Sequence, residues 1–237
     1  MPQRRCDPLN APAVINPLAA EPVWSFNSDG TVFDLASPAA ISVCFVEMAK
    51  ALAGIRRFNG RGIPVAQHSV MGAKAILNER GTAMEAALFL LHDGHEWAVG
   101  DIIRPTQKLL SCSLAHAYGR QHADTIDFAI AALKAAWDTA IYSAAKLPLP
   151  EFWTARQKRV VKDMDDRMCR AEAIDLFGQR AASQFPHSER PKTVGSIRIW
   201  GPAKAEEEFA GLLHQLAGAE TIARHSALAA INRGARA

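Results

Sequence analysis

Leu88-Phe-Leu-Leu-His-Asp-Gly-His-Glu-Trp97 is the stretch whose reading decides the rest of the chain. An apolar run with no charge in it ends abruptly in two histidines and two carboxylates, His92, Asp93, His95 and Glu96. A buried segment that finishes this way must pair those groups or bind something with them, because an unpaired buried charge costs several kcal/mol. The adjacent His92-Asp93 pair is therefore a candidate for part of a metal site, and other ligands must come from elsewhere in the chain.

Upstream, apolar residues nearly all round predict a central helix from about Ala83 into His92-Asp93. A second helix is expected over Val65–Leu77, just after Pro64. There His68 shares a face with Gly72, Ala75 and Ile76, as a satisfied core histidine or as a ligand. Before it, Arg56-Arg-Phe-Asn-Gly-Arg-Gly-Ile-Pro64 reads as a loop with three arginines. These are either solvated or an anion clamp, since guanidinium forks match phosphate oxygens. Ile41–Leu52 carries helical spacing behind a start signal at Ser37-Pro38, and should stop near Gly54. Trp24 to Leu35 alternates around Gly30 and reads as a short hairpin.

Downstream, Gly100-Asp-Ile-Ile-Arg-Pro105 reads as a loop carrying Asp101 and Arg104. Ile126, Ile130, Leu133, Trp137, Ile141 and Ala144 recur at helical spacing, and Pro148 and Pro150 end that helix. In the next, Phe152–Phe177, the apolar stripe is Val161, Met164, Met168 and Leu176, and Asp165 lies within it. An acid on a core-facing stripe needs a partner, either a buried arginine or a metal ion. Asp163 and Asp166 instead sit near Arg159, Lys162 and Arg170 as solvated pairs would. A short strand is expected at Ile197–Trp200 and a helix from Ala203 to about Leu216. The fold class is all-α: an irregular proline-containing arm over 1–22, one helical domain with a short hairpin over 23–216, and a basic tail over 217–237 that could fray.

Composition narrows the classes of function. The 237 residues are 49% hydrophobic, and 27 basic against 24 acidic side chains leave a net charge of +3. That balance gives no reason to expect a nucleic-acid or membrane-surface protein. Cys6, Cys44, Cys112 and Cys169 are far apart in sequence, which suits a reducing compartment and argues against a zinc knuckle. No apolar run approaches the roughly 20 residues of a membrane helix. Arg4 and Arg5 are followed by Pro8, Asn10 and Pro12 in place of a signal-peptide core, so a cytoplasmic location is the expectation.

His68, His92, Asp93 and Asp165 are the candidates expected to face inward. Two imidazoles with two carboxylates form a mixed nitrogen and oxygen set that admits one divalent ion: Mn, Fe, Co, Zn, Ni or Mg. The order H…HD…D across successive helices resembles the HD-domain metal-dependent phosphohydrolases. Arg57-Phe-Asn-Gly, Val65-Ala-Gln-His68-Ser, Leu90-Leu-His92-Asp93-x-x-Glu96, Gly100-Asp101-x-x-x-Pro105 and Val161-Lys-x-x-Asp165 are similar to the YfbR-like branch, which holds 5′-deoxynucleotidases and related nucleotide hydrolases. The resemblance covers about residues 30–177 and implies an HD-domain helical bundle.

The resemblance also implies roles. His68, His92, Asp93 and Asp165 bind the metal, and Glu96 works with Asp93 as a catalytic carboxylate that activates water or handles a proton. Asp101 lies beside the sugar, and Arg57, with Phe58 next to it, binds the phosphate. The expected activity is release of phosphate from a (deoxy)nucleoside 5′-phosphate. A triphosphate, cyclic or alarmone nucleotide is the alternative substrate, and a catalytically silent nucleotide-binding module is the alternative of another class. Two positions depart from the pattern. His95 replaces a small residue and is expected at the surface, and Gln107 precedes Lys108 where a lysine commonly follows the Pro105 motif. The long Ile126–Ala144 helix is a candidate surface for a homodimer.

Overall fold

A computed structural model describes residues 17–193, 196–223, 225 and 227. The fold is all-α with one small hairpin, β1 (Trp24–Phe26) against antiparallel β2 (Val32–Asp34). The helices are α1 (Phe45–Gly54), the single turn α2 (Arg57–Gly60), α3 (Val65–Asn78), α4 (Ala83–Leu90), the short α5 (Glu96–Val99), α6 (Arg104–Tyr118), α7 (Thr125–Ala144), α8 (Ala155–Phe177), the short α9 (Gln179–Ala182) and α10 (Pro202–Ala217). No described helix is long and apolar enough to cross a membrane.

Helix α3 is the centre, packed by α1, α4, α8 and α10. It approaches α4 closely because residue 72 is glycine. A Cβ there would stand 2.1 Å from the ring of Phe89 on α4. Reciprocal caps start α4 and α8. The Thr82 hydroxyl accepts from the Glu85 amide while Glu85 accepts from the Thr82 amide, and Thr154 and Gln157 repeat the arrangement. The core runs as one cluster from Phe33 to Ile222.

Several expectations shift. Helix α4 stops at Leu90, so His92 and Asp93 lie in a tight turn and not on the helix. Alternate amides there bond three residues back: His92 to Phe89, Gly94 to Leu91, Glu96 to Asp93. His92 and Asp93 nevertheless converge, with Nε2 and Oδ2 3.2 Å apart. Helix α1 starts at Phe45 after a 3-10 turn at Ala40–Ser42, later than Ile41. Helix α6 takes in Arg104 and Pro105 from the end of the stretch that reads as loop, because Pro105 falls in a first turn, where its missing N–H costs nothing. Ile197–Trp200 forms no strand. The side chain of Gln67 takes the place of a neighbouring strand, donating to Arg198 O at 2.7 Å and accepting from Trp200 N at 2.8 Å.

The acids flanking Asp165 also find partners. Lys162 pairs with Asp166, while Asp163 pairs with Arg167, not with Arg159. Beyond Ala217, Ile222 is buried in the core, so this part of the tail is packed. The arm over 1–16 and residues 228–237 lie outside the described residues.

Candidate metal centre

His68 on α3 is fully buried, and its Nδ1 lies 2.6 Å from Glu172 Oε1 on α8. His92 places Nδ1 2.6 Å from Phe89 O, and the Phe89 ring stacks on its imidazole at 4.3 Å. An acceptor at each Nδ1 keeps the ring proton there, which leaves the lone pair on Nε2. Both Nε2 atoms are buried without a hydrogen-bond partner.

What those nitrogens face are the two predicted carboxylates. Asp93 Oδ2 is 3.2 Å from His92 Nε2 and 3.9 Å from His68 Nε2. Asp165 Oδ1 is 3.5 Å from His68 Nε2 and 3.9 Å from His92 Nε2. One donor atom each from His68, His92 and Asp165 lie within 4.8 Å of one another, a spacing that could hold an ion. Thus the four residues singled out in sequence meet at one point, delivered by α3, the 91–95 turn and α8.

The charges here are strongly coupled. Burial opposes a charged His92, but the carboxylates of Asp93 and Asp165 and the Phe89 carbonyl outweigh it and raise its pKa to about 9. Asp165 is held well below the ordinary carboxylate range: burial alone would raise it, and His92, His68 and Arg57 overcome that. The centre attracts positive charge, and a proton or a divalent cation would answer that demand at the same lone pairs.

Arg57 supplies part of it. Its guanidinium donates to Asp93 Oδ2 at 3.1 Å, Glu172 Oε2 at 3.0 Å and Cys169 Sγ at 2.9 Å, and lies 3.8 Å from Asp165 Oδ1. So Asp165 has the buried arginine foreseen for it, and the two histidines stand on its other side. Arg57 opens α2, where Phe58 and Asn59 take left-handed φ values of 54° and 55°. Such backbone costs about 1–3 kcal/mol per residue. Packing holds it: Phe58 lies edge-on to Phe177 at 5.4 Å and Phe185 at 6.2 Å. Gly62 leaves room for the turn, since a Cβ there would meet the Phe58 ring at 2.6 Å.

Beside the centre opens a cavity of about 450 Å³. Arg57, Arg61, Arg104 and Lys134 line it with positive charge, Glu96 and Asp101 with carboxylates, and Phe58 and Phe185 with aromatic surface. Glu96 is buried, and its pKa is pushed up to about 9 by that burial and by the charges of Asp93 and Asp101, against Arg57 and Lys134. Asp101 is also raised, by burial and by Asp93.

The structure corrects two local expectations. His95 is not at the surface: it is 4% exposed, with Nδ1 2.9 Å from Asp138 Oδ1. Of the three loop arginines only Arg57 and Arg61 line the cavity, while Arg56 donates to Gly62 O at 2.9 Å. Gln107 lines the cavity and ties down Ile102 O at 2.6 Å, and the lysine on the wall is Lys134 of α7.

Sequence reasoning missed Glu172, Cys169, Lys134 and Phe185. For the first two a signal existed. Asp165, Cys169 and Glu172 are spaced 4 and 3 apart and so share one face of α8. Nothing local marked Lys134 or Phe185. Compared with protein-family models the chain matches none, and a comparison with curated proteins gives no match either.

Proposed function

We propose that the protein is a metal-dependent phosphohydrolase that releases phosphate from a (deoxy)nucleoside 5′-phosphate. The observation that carries this reading is the pair of buried, unpartnered Nε2 atoms of His68 and His92, turned toward Asp93 and Asp165. An orphaned buried polar atom costs about 1–3 kcal/mol, and two at one centre fit a bound cation. The order H…HD…D, similar to the HD-domain phosphohydrolases, points the same way.

His68, His92, Asp93 and Asp165 would hold the ion. A divalent ion there supplies Lewis acidity and a water acidic enough to act as a nucleophile near neutral pH. The chain's own residues do the rest. Arg57, Arg61, Arg104 and Lys134 attract the phosphate and offset charge as it builds on the phosphoryl oxygens. Glu96 holds a proton at a pKa of about 9 beside the centre, and can transfer it during the reaction. Phe58 and Phe185 offer flat apolar surface to a base, and Asp101 a hydrogen-bond acceptor to the sugar. A cavity of about 450 Å³ has room for one small ligand.

The test is phosphate release from a panel of nucleoside mono- and triphosphates, using metal-stripped protein with Mn, Co or Mg added back. Release should depend on metal and fall to background in His92→Ala and Asp165→Ala. Full activity in either variant sinks the assignment, and binding without turnover across the panel favours a silent nucleotide-binding module. Four cations around one cavity also support a second reading, with a nucleoside triphosphate as substrate. Faster turnover of triphosphates than of monophosphates in the same panel would select it.

A further inference from the structure

We propose a second divalent-cation site beside the first, built by His95, Glu96 and Asp93. It rests on the reading above in one respect, since Asp93 would serve both ions.

His95 and Glu96 are 4% and 5% exposed. Asp138 of α7 occupies His95 Nδ1 at 2.9 Å, which keeps the ring proton there and leaves Nε2 as a lone-pair donor. That Nε2 is buried with no partner, and so is Oε2 of the neighbouring Glu96. Two orphaned buried atoms in adjacent residues are costly unless something binds them. One ligand atom from each of Asp93, His95 and Glu96 lies within 4.8 Å of the other two. Asp93 meets His68, His92 and Arg57 through Oδ2, and its second carboxylate oxygen would serve the other ion. The carboxylate–imidazole pair Asp138–His95 repeats the arrangement of Glu172–His68, where a carboxylate on a neighbouring helix fixes a ring nitrogen for ligation. An imidazole with two carboxylates selects Mn, Fe, Co, Ni or Zn over Mg.

Two cations also answer a crowding of carboxyl groups that one leaves in place. Asp93, Glu96 and Asp101 stand together, and Arg57 is shared with Glu172 and Cys169.

The test is Mn(II) binding to the metal-stripped full chain, measured by equilibrium dialysis with metal analysis. The wild-type protein should take up two ions per chain, and His95→Gln should take up one. The ion retained by His95→Gln reports that the variant is folded and the first site intact. Asp138→Asn should still bind two, the second weakened about 10–100-fold through loss of the ring anchor. One ion at saturation in wild type, or two of undiminished affinity in His95→Gln, overturns the second site and leaves the first standing. No ion in wild type overturns both.

Discussion

Helices α3 and α6 have 14 and 15 residues and meet the rest of the molecule in opposite ways. Helix α3 is covered from Val65 to Ile76, with Lys74 the exception, whereas in α6 only Ser111 is buried. The difference maps onto the site. His68 comes from the enclosed helix, with Glu172 and Phe89 locking it and its neighbour His92 in place. Arg104 comes from the outer one, its side chain 66% exposed, reaching Asp165 at 3.2 Å. Ligands that must hold a fixed geometry are built on the rigid part, and groups that meet a substrate's outer end on the loosely packed part.

The largest penalties should come from disturbing what surrounds α3. Glu172→Ala removes the acceptor of both His68 Nδ1 and Arg57 Nε at a fully buried position. Breaking a buried charge pair from one side costs about 3–5 kcal/mol. The expected outcome is a large fall in Tm, with Mn(II) affinity down about 10–100-fold because the His68 ring loses its anchor. Unchanged metal affinity in a folded Glu172→Ala protein would remove Glu172 from the site.

Next comes the contact between α3 and α4. Gly72→Ala gains roughly 1 kcal/mol of helix propensity, but the new methyl would stand 2.1 Å from a buried Phe89 ring. That ring is stacked on His92 and packed on His68, so it has nowhere to go. Overpacking costs about 1–3 kcal/mol, and the net change should be destabilising with weaker metal binding. Adding Phe89→Leu, which opens the space, should recover part of the stability. A more stable Gly72→Ala protein would show that the two helices can slide apart, and the picture of a rigid centre would fail.

A smaller effect is expected at the edge of the same region. Glu79 accepts both Arg167 nitrogens, at 2.7 and 2.8 Å, and the Lys192 amide at 2.9 Å. Burial would raise its pKa, but these bonds lower it. A carboxylate lowered on folding adds stability that is complete above its unfolded pKa, near 4.3, and is lost as pH falls through the folded value. The wild-type Tm should therefore drop below about pH 4.3 more steeply than that of Glu79→Gln. Parallel Tm curves for the two proteins would mean that the Arg167 bridge does not survive in solution.

The same contrast explains what was readable in advance. The all-α class, the hairpin and α3, α7, α8 and α10 followed from periodicity, because a covered helix face must be apolar along its whole length. The four convergent residues were legible because polar groups on such a face stand out, as Asp165 does between Val161 and Met168. Helix α6 was not legible: with so little of it buried, it needs no apolar stripe. His95 was misplaced for a related reason, since the carboxylate that makes its burial tolerable, Asp138, lies 43 residues away on α7. Lys134 and Phe185 reach the cavity only through packing of the elements that carry them, and no local pattern encodes that.

The smallest effect should come from the outer helices themselves. Leu109 on α6 is 66% exposed and Phe128 on α7 is 76% exposed, so neither loses buried area when made polar. Exposed substitutions away from special backbone or buried polar groups stay within about 0.5 kcal/mol. Leu109→Ser and Phe128→Ser should accordingly leave Tm and Mn(II) affinity unchanged across protein concentrations. These residues also lie where a second copy of the chain would pack if α6 and α7 formed a dimer surface. In that case Tm of the wild-type protein would rise with concentration, and both variants would lose the rise along with a dimeric mass in light scattering. That result would break the comparison at its weaker end, because α6 would then be as covered in the assembly as α3 is within one chain.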